Sequence, residues 1–108
     1  MTKVQQAVED LLSVIRQTEE YTEYRCQLEK LKMQPELHRQ VDAFRSENFE
    51  LQSLTPEDQL LQKTEQFEEK YRVLRENPLV MDFLEAELAF CRMMQETHLK
   101  ITEGLQFE

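Results

Sequence analysis

Tryptophan is absent from this 108-residue chain, glycine occurs once and proline three times. Sheets and tight turns draw on glycine and proline, so their scarcity argues against a β fold. The surplus of Glu, Gln, Leu and Lys favours helix throughout. Cysteine is scarce as well: Cys26 and Cys91 stand 65 positions apart, which fits neither a CxxC redox pair nor a zinc knuckle. In a reducing compartment both are expected to remain free thiols. Positive charge is limited to 13 Lys and Arg against 22 Asp and Glu, a net charge of −9, and no run of five basic residues occurs. Binding to a nucleic-acid backbone or an anionic membrane depends on such clusters, so neither is expected. No window approaches the roughly 18 to 20 apolar residues of a membrane span, and MTKVQQAVEDLL lacks the apolar stretch of a signal peptide. The expected location is the cytoplasm.

What the chain does contain is helical periodicity. Val4, Val8, Leu11 and Ile15 form one stripe, widened by Leu12, which predicts a first helix over about 2–17. Tyr21, Tyr24, Leu28 and Leu31 predict a second over about 18–33, and no glycine or proline near Thr18 decides whether the two are one bent helix. Pro35 forces a break, because proline disfavours helical geometry in the residue before it yet sits comfortably in a first turn. Phase agrees: carried straight through Pro35, the Leu37, Val41, Phe44 and Leu51 stripe would lie roughly opposite Tyr21 and Leu28. The third helix is expected to end near Ser53. In "LTPEDQ", Thr55 is the expected N-cap, Pro56 the first helical residue, and Glu57 and Asp58 favourable charges near the positive end of the helix dipole. A fourth helix would carry Leu60, Thr64, Phe67, Tyr71 and Leu74 in heptad spacing. "ENPL" starts a fifth, with Asn77 as cap and Pro78 in the first turn, running to about Leu105.

The fifth helix has two apolar lines. Val80, Leu84, Glu87, Cys91, Met94, His98, Ile101 and Leu105 follow strict heptad counting, and Leu79, Phe83, Ala86, Phe90 and Met93 lie beside them. Together they cover about 220° of the helix, well beyond the stripe of a bit over 100° expected for a helix packed on one side. A chain this short has difficulty enclosing a helix on two sides, so one line is expected to meet a second subunit. Glu87, Cys91 and His98 share one line but spread over about 16 Å, too far for one metal ion. Cys91 and His98 stand about 10 Å apart along it, beyond the reach of a nucleophile and its base. No HExxH, no paired Glu-x-x-His, no glycine-rich loop and no G-x-S-x-G elbow occurs. Cys91 therefore reads as a small buried packing residue and His98 as a polar residue at a wet end. Glu87 costs stability between Leu84 and Cys91 unless it is paired, and as a seam residue it would specify register or partner. Cys26, Met33 and Phe49 depart from their own stripes; isolated exposed apolar residues are ordinary, and a partner surface is the alternative reading. Asn48, between Phe44 and Leu51, reads as a register-setting residue.

The order "VMDFLEAELAFCRMMQETHLKI", with Asp82-Phe83, Ala86-Glu87 and apolar residues at helical spacing through Ile101, resembles the bacterial YlbF/YmcA, or control-of-competence, family. Upstream, "TEEYTEYRCQLEKLKMQPELHRQVDAFRSENFELQ" is similar to that family's central region, and the resemblance covers about residues 5 to 105. It implies a YmcA-like helical protein without enzymatic activity that associates with itself and with relatives. It also implies a role in competence, biofilm formation or sporulation, partly through the messenger-RNA processing ribonuclease RNase Y. Some members carry a cysteine-rich tail linked to iron-sulfur clusters. This chain ends "ITEGLQFE" with no cysteine after Cys91, and two cysteines cannot supply four thiolates, so no cluster, other cofactor or metal is expected.

The expectation is one domain over 1–108: an all-α, elongated bundle of about four to five amphipathic helices with a long C-terminal helix. Its function is that of a non-enzymatic cytoplasmic adaptor that forms a homodimer through the long helix. Possible further partners are family relatives and a ribonuclease complex. The interface and specificity candidates are Leu79, Val80, Phe83, Leu84, Glu87, Phe90, Cys91, Met94 and Phe49. A coiled-coil-like structural or chaperone subunit is the alternative, motivated by the heptads, and a metal-dependent helical enzyme is a third reading. Glu87→Leu is expected to keep or raise stability in urea unfolding while loosening oligomer choice or partner specificity. Unchanged assembly and partner binding in that variant would remove Glu87 as a specificity residue.

Overall fold

Thr2 opens the first helix with a reciprocal cap. Its hydroxyl accepts from the Gln5 amide at 3.1 Å while the Gln5 side chain accepts from the Thr2 amide at 2.8 Å. In this computed structural model, residues 2–106 are described. They form α1 (Lys3–Arg16), α2 (Glu19–Lys32), α3 (Pro35–Leu54), α4 (Glu57–Lys70), α5 (Arg72–Glu76) and α6 (Pro78–Gly104), with no strand among the described residues. No described helix is long and apolar enough to cross a membrane.

Thr18 separates α1 from α2. Its Oγ1 donates to the Ile15 carbonyl at 2.6 Å and accepts from the Tyr21 amide at 3.2 Å, so one hydroxyl closes one helix and starts the next. Two helices, not one bent helix, result. Pro35 stands in the first turn of α3 as expected. Asn77 caps α6, its Oδ1 accepting from the Leu79 amide at 2.9 Å and the Val80 amide at 3.5 Å.

Two expectations need correction. Thr55 does not cap α4: it is the extended residue that ends α3, and Pro56, with φ −58° and ψ 143°, takes the cap position, so the helix starts at Glu57. Proline holds the residue before it extended, and its own ψ here is that of polyproline, which places both outside the helix. Nor does the fourth helix run unbroken to Leu74. Tyr71, at φ −106° and ψ 13°, interrupts it and leaves α5 as a separate five-residue segment. Tyr71 is also the buried ring of this stretch, and its packing against Phe44 and Phe67 outweighs one regular turn. Six helices therefore stand where four to five were expected.

The chain divides into two compact units, Met1–Leu28 with Phe83–Glu108, and Glu29–Asp82, the boundary falling inside α2 and α6. In the first unit Tyr24 stacks on Phe90 with ring centroids 5.2 Å apart and lies 6.0 Å from Phe83, while Tyr21 meets Phe90 at 5.6 Å. Later positions on α2 thus meet earlier ones on α6, so the two run antiparallel here. Phe83 and Ala86 are buried, as are Ile15 of α1 and the amide side chain of Gln27.

The second unit is built on the α3–α4 hairpin, whose helices are in contact. Val41, Phe44 and Leu51 are buried on the expected stripe, with Leu37 half-buried one turn before them and Asn48 half-buried between Phe44 and Leu51. Phe44 stacks on Phe67 at 5.2 Å and meets Tyr71 edge-on at 5.2 Å. Leu31 and Val80 complete this core.

Phe83 is among the largest side chains wholly removed from solvent. Phe83→Ala is expected to lower the unfolding free energy by about 3–5 kcal/mol, the range for truncating a buried aromatic. The exposed Phe49, changed to Ala, should cost less than about 0.5 kcal/mol. Urea titration of the two variants checks the contrast, and equal losses would contradict the assignment of the core.

Candidate functional site

The candidate residues of α6 divide by angle. On the side turned to α2, Phe83 is buried and Phe90 half-buried, and the two share Tyr24 as a ring partner. Leu84, Glu87 and Met94 are half-buried, and one carboxylate oxygen of Glu87, Oε2, is shielded from solvent. Leu79 is half-buried and Val80 fully buried, both in the second unit. Cys91 is exposed, against the expectation of a buried packing residue. On the side of α6 that carries half-buried Leu84 and Glu87 the covering ends before Cys91, one turn further along. Cys26, Met33 and Phe49 are exposed, as their positions off the stripes predicted.

Little here is arranged for chemistry. Among the described residues no group of three or more His, Cys, Asp and Glu side chains could hold a metal ion. His38 lies 3.6 Å from Asp42 one turn further along its own helix, and both are partly exposed. Acidic side chains crowd α4 and α5, where Arg72 stands 3.5 Å from Glu69 and 3.8 Å from Glu76. Beside them a shallow groove of about 460 Å³ is lined by Leu37, Ala43, Tyr71, Val73 and Leu74.

Two features escaped the periodicity. Gln27 is buried in the first unit, its Nε2 donating to Glu23 at 2.8 Å while its Oε1 has no hydrogen-bond partner. In the second unit the Lys70 ammonium donates to Glu47 at 2.7 Å and lies 5.3 Å from the centre of the Tyr71 ring, clipping α4 to α3. Both pair members lie on the polar flanks of their helices, where sequence shows only charge. The bond from Lys70 holds the Glu47 carboxyl below its ordinary value, with a smaller contribution from the Tyr71 hydroxyl. The same bond raises Lys70, and burial raises the Tyr71 phenol.

A lowered carboxyl stabilises the fold above its unfolded value, near 4.5, and that contribution disappears as pH falls through the folded value. A raised ammonium stabilises below its unfolded value, near 10.5, and loses its contribution as pH rises through the folded one. The clip is therefore fully present between those limits. Because the pair is largely exposed, Glu47→Gln is expected to lower Tm by only about 2 °C at neutral pH and low salt. The difference from the parent should vanish well below pH 4.5, and its persistence there would contradict the assignment.

Comparison with known proteins gives one match. The family model described as control of competence regulator ComK, YlbF/YmcA, matches residues 4–106. No curated protein matches. No solved structure matches either.

Proposed function

Because the chain belongs to the YlbF/YmcA family of competence-control regulators, we propose that it acts as a non-enzymatic cytoplasmic adaptor, working through self-association and contacts with other proteins. The family match carries this reading, and the surface supports it. Exposed apolar side chains such as Phe49, Leu54 and Leu61 stand on a strongly acidic chain, a combination suited to a protein partner with apolar and basic contact groups. Family relatives and a complex containing RNase Y are the partners the resemblance implies. On this reading the acidic chain meets the protein side of such a complex and leaves the RNA to others.

Affinity capture from the native cell, followed by mass spectrometry and reconstitution with purified components, tests the proposal. The expected outcome is a defined protein partner whose binding weakens as salt is raised. Tight, salt-sensitive RNA binding by the purified chain would overturn it. Suppression of client aggregation without any defined partner would replace it with the chaperone reading.

A further inference from the structure

Between α3 and α5 the second unit carries the groove of about 460 Å³ described above, with Leu37 and Ala43 on one wall and Val73 and Leu74 on the other. Leu37 and Leu74 are half-buried, while Ala43 is exposed and Val73 is 71% exposed at the outer lip. The one charged side chain in the lining, Lys70, is already held by Glu47 at 2.7 Å. The floor of the groove therefore offers apolar contact without a free charge.

Its two edges differ. On the α3 edge Glu36 is matched by Arg39 at 2.8 Å. On the other edge Glu65, Glu68, Glu69 and Glu76 line one surface hollow with Arg72 and Arg75, four carboxylates against two guanidinium groups. Arg72 is shared between Glu69 and Glu76, and the Arg75 guanidinium carbon lies 5.8 Å from the centre of the Phe44 ring. Among the described residues neither Glu65 nor Glu68 has an ion-pair partner. Glu69 and Glu76 stand four positions before and three after Val73, so this surplus of negative charge runs along the outer lip.

We propose that the groove receives an amphipathic helix of a partner protein, its apolar ridge seated on Leu37, Ala43, Val73 and Leu74 and its Lys or Arg residues on the flank that meets Glu65, Glu68, Glu69 and Glu76. The proposal rests on the adaptor function proposed above and gives the partner's contact a place and a chemistry. Both walls are helical, so no strand edge is offered for an extended segment to pair with, and a ridge of side chains fits a groove between helices. From Leu37 to Ala43 α3 rises about 9 Å, close to the span of about 10 Å between apolar residues at i and i+7 of an incoming helix. Charge selects a basic protein helix over the other occupants. A second copy brings 22 acidic residues against 13 basic ones, and a nucleic-acid backbone is repelled by the same carboxylates.

Fluorescence anisotropy with the full chain and a labelled, helix-stapled peptide of about 14 residues tests the placement. The probe carries Leu at i, i+4 and i+7 with Lys along one flank, and a second probe carries Glu in place of Lys. The parent is expected to bind the Lys probe at least about tenfold tighter than the Glu probe, with the preference shrinking as salt is raised. Val73→Asp should weaken the Lys probe at least about tenfold, with cooperative urea unfolding retained because the position is exposed. The double variant Glu65→Lys with Glu68→Lys should reverse the preference between the probes, and Phe49→Asp should leave both affinities unchanged. Equal binding of the two probes, insensitivity to Val73→Asp, no reversal in the double variant, or loss of binding in Phe49→Asp would each overturn the proposal. Self-association of the parent abolished by Val73→Asp would assign the groove to a second copy and overturn it likewise. A defined partner that Val73→Asp still captures would overturn this placement while leaving the adaptor function standing. A groove that passes the probe tests in a chain that captures no partner would do the reverse.

Discussion

The capacity to bury apolar side chains is the constraint on which the rest of this protein depends. Nine are buried among the described residues, and six helices must share them. α1 has Ile15, α2 has Leu31, α3 has three, and Tyr71 serves the junction of α4 and α5. With about 1.5–3 kcal/mol from each large anchor, no helix is held by its core alone. Local polar devices carry a larger share than in a bigger domain: the Thr2 box, the Thr18 hydroxyl shared between two helices, and the Asn77 cap. The aromatic rings multiply the effect, since Phe44, Phe67 and Tyr71 touch one another in all three pairs.

The same shortage explains the exposed surface. A chain this size cannot cover every apolar residue its helices present. Val4, Leu54, Leu61, Val73 and Leu105 are left largely in water, on three different helices, at α5 and past the end of α6. On the function proposed above, such residues are where contacts with other chains would complete what the chain's own core leaves unfinished.

Sequence disclosed the helices well because their stripes are long and their stops are chemical. The start of α3 at Pro35, the Asn77 cap and the length of α6 all follow from proline, asparagine and periodicity. Tyr71 did not, because a heptad pattern registers that a ring belongs to the core and is silent on whether the backbone stays regular in placing it there. Thr55 misled for a related reason: a threonine before proline satisfies the pattern of a cap, but the proline ring decides which of the two residues takes that position. Cys91 was misplaced because heptad counting fixes the angle of a residue on its helix and not how far along the helix the chain covers that angle. The Glu47–Lys70 bond joins residues 23 positions apart and left no periodic trace.

The graded covering of α1 has a thermodynamic consequence. A helix of fourteen residues is marginal in water by itself, and this one is pinned chiefly at its C-terminal end by Ile15. Opening its first turns disturbs few buried contacts, so they belong to the low-stability end of the molecule's local unfolding equilibria. Whatever covers Val4 and Val8 therefore also raises the helicity of the segment that carries them. If a partner of the kind proposed above covers them, its supply shifts that local equilibrium, and the first turns of α1 become a measure of occupancy.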